Sequence, residues 1–307
     1  MQKPEIEISS TQDYKAKIEH WKQWFCNFYE YMVSDNVPKK KYIDIKIAAY
    51  YPCYSNKRAT FSVLTNFRKY FPDSPVYLVC DNPNEDFSDI AKYFNCEYDK
   101  HQKSSGDGRT NNFHHWEQSY QWLTDIEKTC NMFETQADWI VYLEDDVNVR
   151  DRISKYPDAY LAGPAIPMFN EKALLYLKLT HKDLEINGWS GCGGSIFHIK
   201  AFQYCMKNLS NFYYDYVKTL DYRVGLASDA LLTYLFNCNC FVCRRWLDIS
   251  EEHAGVLSPG AAFDHDHKIY YGKEWEDWIL KASAQRGPNL KRNFTTKAIE
   301  SMLKSGR

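Results

Sequence analysis

The chain has 307 residues, of which 44% are hydrophobic, 25% charged and 16% aromatic, and this excludes disordered, collagen-like and low-complexity proteins. The 38 basic and 40 acidic residues give a formal net charge of −2. Nucleic acids and anionic membranes are bound through many contacts to phosphates, so this balance argues against either as the main partner. We therefore expect a small-molecule ligand.

The N-terminal residues show no apolar signal segment, and the sequence has no apolar run of the length needed to cross a membrane. The expected location is therefore cytoplasmic, with no transmembrane segment. Aromatic residues recur at helical spacing over residues 11–33, which predicts an amphipathic helix within an N-terminal extension, residues 1–42. This helix packs on the rest of the protein or forms a homodimer contact.

Residues 43–150 alternate between predicted strands and helices. A strand over Ile43–Tyr50, a helix over Thr60–Tyr70 and a strand over Val76–Cys80 form a β-α-β unit, and a later strand covers Trp139–Leu143. This alternation predicts an α/β fold with a mostly parallel, Rossmann-type sheet flanked by helices. Ligands bind such sheets at the carboxyl ends of the strands.

The second half, residues 151–287, is more irregular in pattern, and residues 288–307 are predicted to form a C-terminal helix or tail. The second half contains a glycine-rich turn, Gly191–Ser195, and a helix predicted to begin at Asp229. No low-complexity linker separates it from the first half, so residues 43–287 are expected to form one domain.

Three consecutive acidic residues, Glu144, Asp145 and Asp146, follow the strand at Trp139–Leu143. Such a cluster is repulsive unless a cation or a basic side chain neutralises it, and carboxylates suit Mg²⁺ or Mn²⁺. The alternative is a solvated turn paired with a nearby arginine. His265 and His267 are candidates for one further metal ligand, or they belong to an exposed polar loop.

Other candidates allow two interpretations each. Asp229 either caps its helix or acts as a general base. The turn at Gly191–Ser195 either lets a ligand approach the backbone closely or is only a tight turn, and the neighbouring Trp189 either stacks on a sugar or packs in the core. No glycine pattern of the ATP-binding or dinucleotide-binding type is present.

Taken in order, these motifs resemble the GT-A class of nucleotide-sugar glycosyltransferases over roughly residues 43–270. In that class a nucleotide-binding β-α-β half is followed by an acidic "DxD" motif, a glycine-containing acceptor loop, a catalytic acidic residue that opens a helix, and a late histidine. Glu144-Asp145-Asp146 is similar to a Glu-Asp-Asp version of the acidic motif. The resemblance implies a GT-A-like fold whose second half is irregular and lies on the acceptor side.

The resemblance also implies roles for individual residues. Asp146 would bind Mn²⁺ or Mg²⁺ directly, Glu144 through water or ribose, and His265 or His267 would complete the metal site. Asp229 would be the base of an inverting transfer, although Ser228 replaces an acidic residue that often precedes it, which leaves a retaining mechanism open. The nucleotide-sugar donor, UDP-linked by preference, would contact a first-strand loop and several charged residues: Tyr50, Tyr51, Pro52, Asp81, Arg109, Asp145 and Lys268. The acceptor, a glycan or another hydroxyl compound, would contact Trp189, Gly193 and Gly194.

Two other functions compete with this one. A nucleotidyltransferase would use the same acidic metal site with a nucleoside triphosphate, and Asn56-Lys57-Arg58 could then form a weak triphosphate loop. A catalytically inactive carbohydrate-binding protein would use aromatic side chains to stack on sugars and would need neither metal nor nucleotide.

Overall fold

The structure is a computed structural model that describes residues 40–103, 112–113, 116–165, 190–210, 226–251, 258 and 260–265. The predicted N-terminal extension and its dimer helix lie outside these residues, apart from residues 40–42. The predicted C-terminal segment, residues 288–307, also lies outside them. No helix among the described residues has both the length and the apolar character needed to cross a membrane.

The first half contains the predicted β-α-β alternation. Its elements in chain order are β1 (Ile47–Cys53), α1 (Lys57–Tyr70), β2 (Val76–Cys80), α2 (Ser88–Tyr93), β3 (Glu97–Lys100), β4 (Asn112–Phe113), α3 (Trp116–Phe133), β5 (Trp139–Tyr142) and β6 (Val147–Val149). Helix α1 begins after Asn56, whose side chain accepts a hydrogen bond of 3.0 Å from the backbone N–H of Ala59. Asparagine favours this cap position because it satisfies an otherwise unpaired N–H of the first turn.

The second half has shorter elements. They are β7 (Leu161–Gly163), β8 (Ile196–His198), α4 (Ile199–Lys207), β9 (Leu226–Ala227), α5 (Ser228–Cys238), β10 (Cys243–Arg245), β11 (Ile249–Glu251) and β12 (Phe263–His265). Apart from the two helices, each of these elements has only two or three residues, consistent with the irregular pattern of this part of the sequence.

Seven strands form the central sheet in the order β10-β7-β8-β5-β1-β2-β3. All neighbouring pairs are parallel except those of β8, which runs antiparallel to both β5 and β7. The prediction of an α/β fold with a mostly parallel sheet flanked by helices is confirmed.

Both faces of this sheet are buried, and β1 shows how its side chains alternate between them. Tyr50 packs into a core with residues of α3, α4 and α5, whereas Tyr51 packs into a second core with residues of α1. Successive side chains of a strand point to opposite faces, so a strand covered on both sides is apolar throughout. This explains why β1 and β2 show no polar alternation.

A smaller three-stranded sheet has the order β11-β12-β6. Strands β12 and β6 are antiparallel, and their register pairs His265 with Val147. Val147 directly follows Asp146 in the chain, so this pairing brings the end of the described chain to the acidic cluster.

Candidate functional site

The acidic cluster lies where β5 leaves the central sheet. The backbone N–H of Leu143 still bonds to Tyr50 O at 2.9 Å, and a turn then closes with a bond of 3.1 Å from Val147 N to Glu144 O. Asp146 is buried, whereas Glu144 and Asp145 are partly exposed. The cluster follows the carboxyl end of β5, the middle strand of the sheet. It therefore stands at the edge where ligands of parallel sheets bind.

His265 faces two of these carboxylates. Its Nε2 atom lies 3.3 Å from Glu144 Oε2 and 3.3 Å from Asp146 Oδ1. Burial alone would lower the pKa of His265, but the negative charges of Glu251 and Asp146 outweigh it and hold the pKa well above its ordinary value. The imidazole is therefore held in a strongly negative, buried environment.

The geometry of these three side chains fits a divalent cation. Donor atoms placed about 2.1 Å from one ion in octahedral geometry lie about 3 Å apart, close to the 3.3 Å measured from His265 Nε2 to each carboxylate oxygen. Two carboxylates and one imidazole are donors that Mn²⁺ accepts, and they leave positions for water or a phosphate oxygen. Glu144, Asp146 and His265 could thus hold a metal ion.

The glycine turn contacts this cluster directly. Gly193 N donates to Glu144 Oε2 at 3.2 Å, and Tyr142 Oη donates to Glu144 Oε1 at 2.7 Å. A Cβ atom on residue 193 would lie 2.6 Å from Glu144 Oε2. Residue 193 must therefore be glycine for Glu144 to keep this position, and Gly194 has a φ of +84°, which also favours glycine.

A second polar cluster surrounds Asp81, which follows β2. His101 Nδ1 lies 2.9 Å from Asp81 Oδ1, and His101 Nε2 lies 3.1 Å from Asp125 Oδ1 on α3. Hydrogen bonds to Asp125 and Asp81 raise the pKa of His101 to about 10, so it is an imidazolium at neutral pH. Burial raises the pKa of Asp125, although His101 opposes this effect.

The segment Tyr50-Tyr51-Pro52 was predicted to be a loop after the first strand, but it is part of β1, so this prediction is wrong. Pairing with β2 continues through Cys53, because these residues are apolar enough to be buried between two covered faces. The ring of Tyr50 stacks on Tyr142 with centroids 5.9 Å apart. The proposed contact of these residues with a nucleotide sugar stays a prediction.

Several predicted site residues lie outside what the structure describes. They are Arg109, Trp189, His267 and Lys268. Asp229 is the second residue of α5, as expected for a residue that opens a helix, but its side chain also lies outside the description. The roles of these residues stay predictions, as does acceptor binding by Gly193 and Gly194.

Three further polar residues that the structure places beside the candidates were not predicted from the sequence. Glu251 contacts His265, and His101 and Asp125 contact the Asp81 cluster. None belongs to a short motif. The pairing of β11 with β12 places Glu251 beside His265. The contacts of α3 with the end of β3 and with the residue that follows it place Asp125 beside His101.

No protein-family model and no curated protein matches the sequence. Among solved structures, the galactosyltransferase LgtC in complex with donor and acceptor sugar analogues is similar, with 13% identity and a TM-score of 0.45 over 81% of this chain and 99% of that chain. Mouse xyloside xylosyltransferase 1 in its apo form is similar with 8% identity and a TM-score of 0.43 over 71% of this chain and 97% of that chain. Neither likeness assigns a function to this chain.

Proposed function

We propose that this protein is a metal-dependent glycosyltransferase that moves a sugar from a nucleotide-diphosphate donor, with a UDP-sugar favoured, to a hydroxyl of a glycan or another acceptor. The observation that carries the proposal is the set of Glu144, Asp146 and His265, whose donor atoms stand at ligand spacing at the carboxyl edge of a mostly parallel sheet. The order of the sequence motifs supports the same assignment.

In this proposal Glu144, Asp146 and His265 hold Mn²⁺ or Mg²⁺. When bound, the cation neutralises the negative charge that develops on the diphosphate as the glycosyl–phosphate bond breaks. Tyr142 and Gly193 keep Glu144 in place through their hydrogen bonds. Asp145, Arg109, Lys268 and the strand ends at Pro52 and Asp81 bind the rest of the donor.

Asp229 removes the proton from the acceptor hydroxyl in an inverting displacement, because a carboxylate within hydrogen-bond reach of a hydroxyl can act as its general base. Trp189, Gly193 and Gly194 bind the acceptor. A retaining mechanism, in which Asp229 has another role, is the competing outcome. The anomeric configuration of the product, measured by NMR, decides between them.

The first experiment is a thermal-shift panel of UDP, GDP, CMP and ATP, each with Mn²⁺ or EDTA. A ligand at about 100 times its Kd stabilises a protein by about 2.7 kcal/mol, which raises the Tm of a chain of this size by roughly 5 °C. We expect a Mn²⁺-dependent shift with one nucleoside diphosphate and its loss in Asp146→Ala. The corresponding nucleotide sugar is then tested for transfer.

Asp138→Ala is the matched control, because Asp138 is an exposed aspartate immediately before β5, at the strand end opposite to Asp146. This variant should keep the shift. Pyrophosphate release from a nucleoside triphosphate would favour the nucleotidyltransferase alternative. Sugar binding without any metal-dependent nucleotide shift would favour the carbohydrate-binding protein and contradict the proposal.

A further inference from the structure

Glu251 is a fully buried carboxylate directly behind His265. Strands β11 and β12 are parallel, and their register pairs Glu251 with His265. Glu251 Oε2 lies 2.5 Å from His265 Nδ1, on the opposite side of the imidazole ring from Glu144 and Asp146. The side chain of Glu251 is 0% exposed.

This contact determines which nitrogen of His265 can face a cation. Because an ionised carboxylate only accepts hydrogen bonds, we assign the proton of this contact to Nδ1. In the neutral ring Nε2 is then the atom with the free electron pair. Nε2 is the nitrogen that faces the oxygens of Glu144 and Asp146.

The burial of Glu251 needs a compensating interaction. Moving a carboxylate out of water costs several kcal/mol unless it is paired and hydrogen-bonded. His265 supplies such a partner, and Cys192 Sγ approaches Glu251 Oε2 at 3.9 Å from the glycine turn. A short strand pair alone does not require a carboxylate at this position, because apolar side chains fill buried strand positions at lower cost.

We infer that Glu251 is the positioning residue of the metal site, holding His265 in the tautomer and orientation in which Nε2 binds the cation. This inference rests on the proposed function, because it concerns the metal site used there. Carboxylates that accept a hydrogen bond from a metal-binding histidine fix its ring and raise its basicity, and their loss weakens metal affinity about 10- to 100-fold.

The test measures the Mn²⁺ affinity of the full-length protein by electron paramagnetic resonance of free Mn²⁺, without nucleotide or acceptor. Glu251→Leu removes the acceptor, and we expect it to weaken Mn²⁺ binding by about 10- to 100-fold. Glu251→Gln keeps a neutral acceptor oxygen. The Mn²⁺ affinity of this variant should therefore fall less, by about three- to tenfold.

Asp248→Asn is the matched control. Asp248 is also a buried carboxylate, three residues earlier, and it accepts hydrogen bonds from the backbone N–H groups of Ser154 and Lys155. Its variant should lower the Tm measured in EDTA and leave the Mn²⁺ affinity unchanged. Mn²⁺ affinity should fall in both Glu251 variants, more in Glu251→Leu than in Glu251→Gln, and should not fall in Asp248→Asn. This pattern would show that Glu251 acts by positioning His265 and not through general stability.

The outcomes distinguish failure of the positioning role of Glu251 from failure of the proposed metal site. If Asp146→Ala abolishes Mn²⁺ binding but both Glu251 variants bind as the wild type does, the positioning role is wrong and the metal site stands. If Glu251→Leu fails to fold, an unchanged affinity in Glu251→Gln overturns the inference. If the wild type shows no Mn²⁺ binding that Asp146→Ala removes, the metal site and the positioning role are both wrong.

Discussion

At the scale of single residues, the glycine turn limits the freedom of the acidic cluster. In Gly193→Ala, the new Cβ would lie 2.6 Å from Glu144 Oε2 and 2.7 Å from Val147 Cγ2. Neither distance is tolerated, so we expect Glu144 to move. Mn²⁺ affinity should fall by about tenfold or more, as for other changes that misplace a metal ligand. Titration of the variant with Mn²⁺ measures this.

Gly194→Ala is the control for this prediction. A side chain at residue 194 is strained by its φ of +84°, but its Cβ would contact Ile249 and Phe263 rather than Glu144. Both variants should have a lower Tm in EDTA. Equal loss of Mn²⁺ affinity in both would show that backbone strain, not displacement of Glu144, causes the effect.

His101 predicts a pH-dependent contribution to stability. Its pKa rises from an ordinary value of 6.5 to about 10 through hydrogen bonds to Asp125 and Asp81, so its ion pairs stabilise the folded state fully below pH 6.5. This stabilisation declines as the pH rises from 6.5 towards 10, because the unfolded chain loses the proton first. His101→Gln should lower the free energy of unfolding by about 2 kcal/mol at pH 6 and by much less near pH 10.

Urea unfolding of wild type and variant at pH 6, 8 and 9.5 measures this difference. Lys128→Gln is the control, because Lys128 pairs with Asp99 at 2.7 Å and the hydrogen bond to Asp99 raises its pKa further above 10.5. The cost of that substitution should stay constant between pH 6 and 9.5. A constant cost for His101→Gln as well would contradict the charged state assigned to His101.

At the scale of elements, the packing of β7 against the segment before the glycine turn depends on Gly163. A Cβ at this position would lie 2.1 Å from the backbone oxygen of Ser190 and 2.6 Å from Ser195 Oγ. A backbone oxygen cannot rotate away, so Gly163→Ala must displace a strand. We expect a loss of about 2 kcal/mol or more in the free energy of unfolding, measured by urea denaturation.

The neighbouring strand residue provides the control for Gly163. Ala162 is fully buried in β7, and Ala162→Gly removes its methyl group without adding an atom. The expected cost is about 1 kcal/mol, because glycine weakens a strand interior. If Gly163→Ala costs no more than Ala162→Gly, the contact between residue 163 and Ser190 can relax easily, and the prediction is wrong.

Elements with a clear apolar pattern were predictable from the sequence. Strand β5 and helix α1 are where periodicity placed them, because each buries a regular set of apolar side chains. The end of β1 was not predicted correctly, because Pro52 suggests a turn while the strand continues past it. The β6, β11 and β12 strands have three residues each, too few for a periodic signal. Strand β12 pairs with β11 and also with β6, which lies more than a hundred residues earlier in the chain.

The candidate site divides in the same way. Glu144, Asp146 and His265 were predicted as metal ligands because an acidic cluster and a histidine are recognisable in the chain itself, and the structure brings them together. Glu251 was not, since its significance comes from the register of β11 against β12. His101 was missed for the same reason, because its two carboxylate partners lie 20 and 24 residues away in the chain.

At the scale of the whole molecule, the candidate metal ligands come from two sheets. Glu144 and Asp146 follow a strand of the seven-stranded sheet, whereas His265 belongs to the three-stranded sheet. A cation held by all three would link segments about 120 residues apart in the chain. Local unfolding that separates these segments would then require release of the ion.

Hydrogen–deuterium exchange with and without Mn²⁺ tests this link. At about 100 times its Kd, Mn²⁺ should slow exchange in β12 and β11 and just after β5 by up to about a hundredfold, because local openings there must release the ion. Strand β3 is at the far edge of the central sheet and should not change. Asp146→Ala should lose the protection in β12 as well as after β5. Protection confined to the residues after β5 would mean that His265 does not bind the ion.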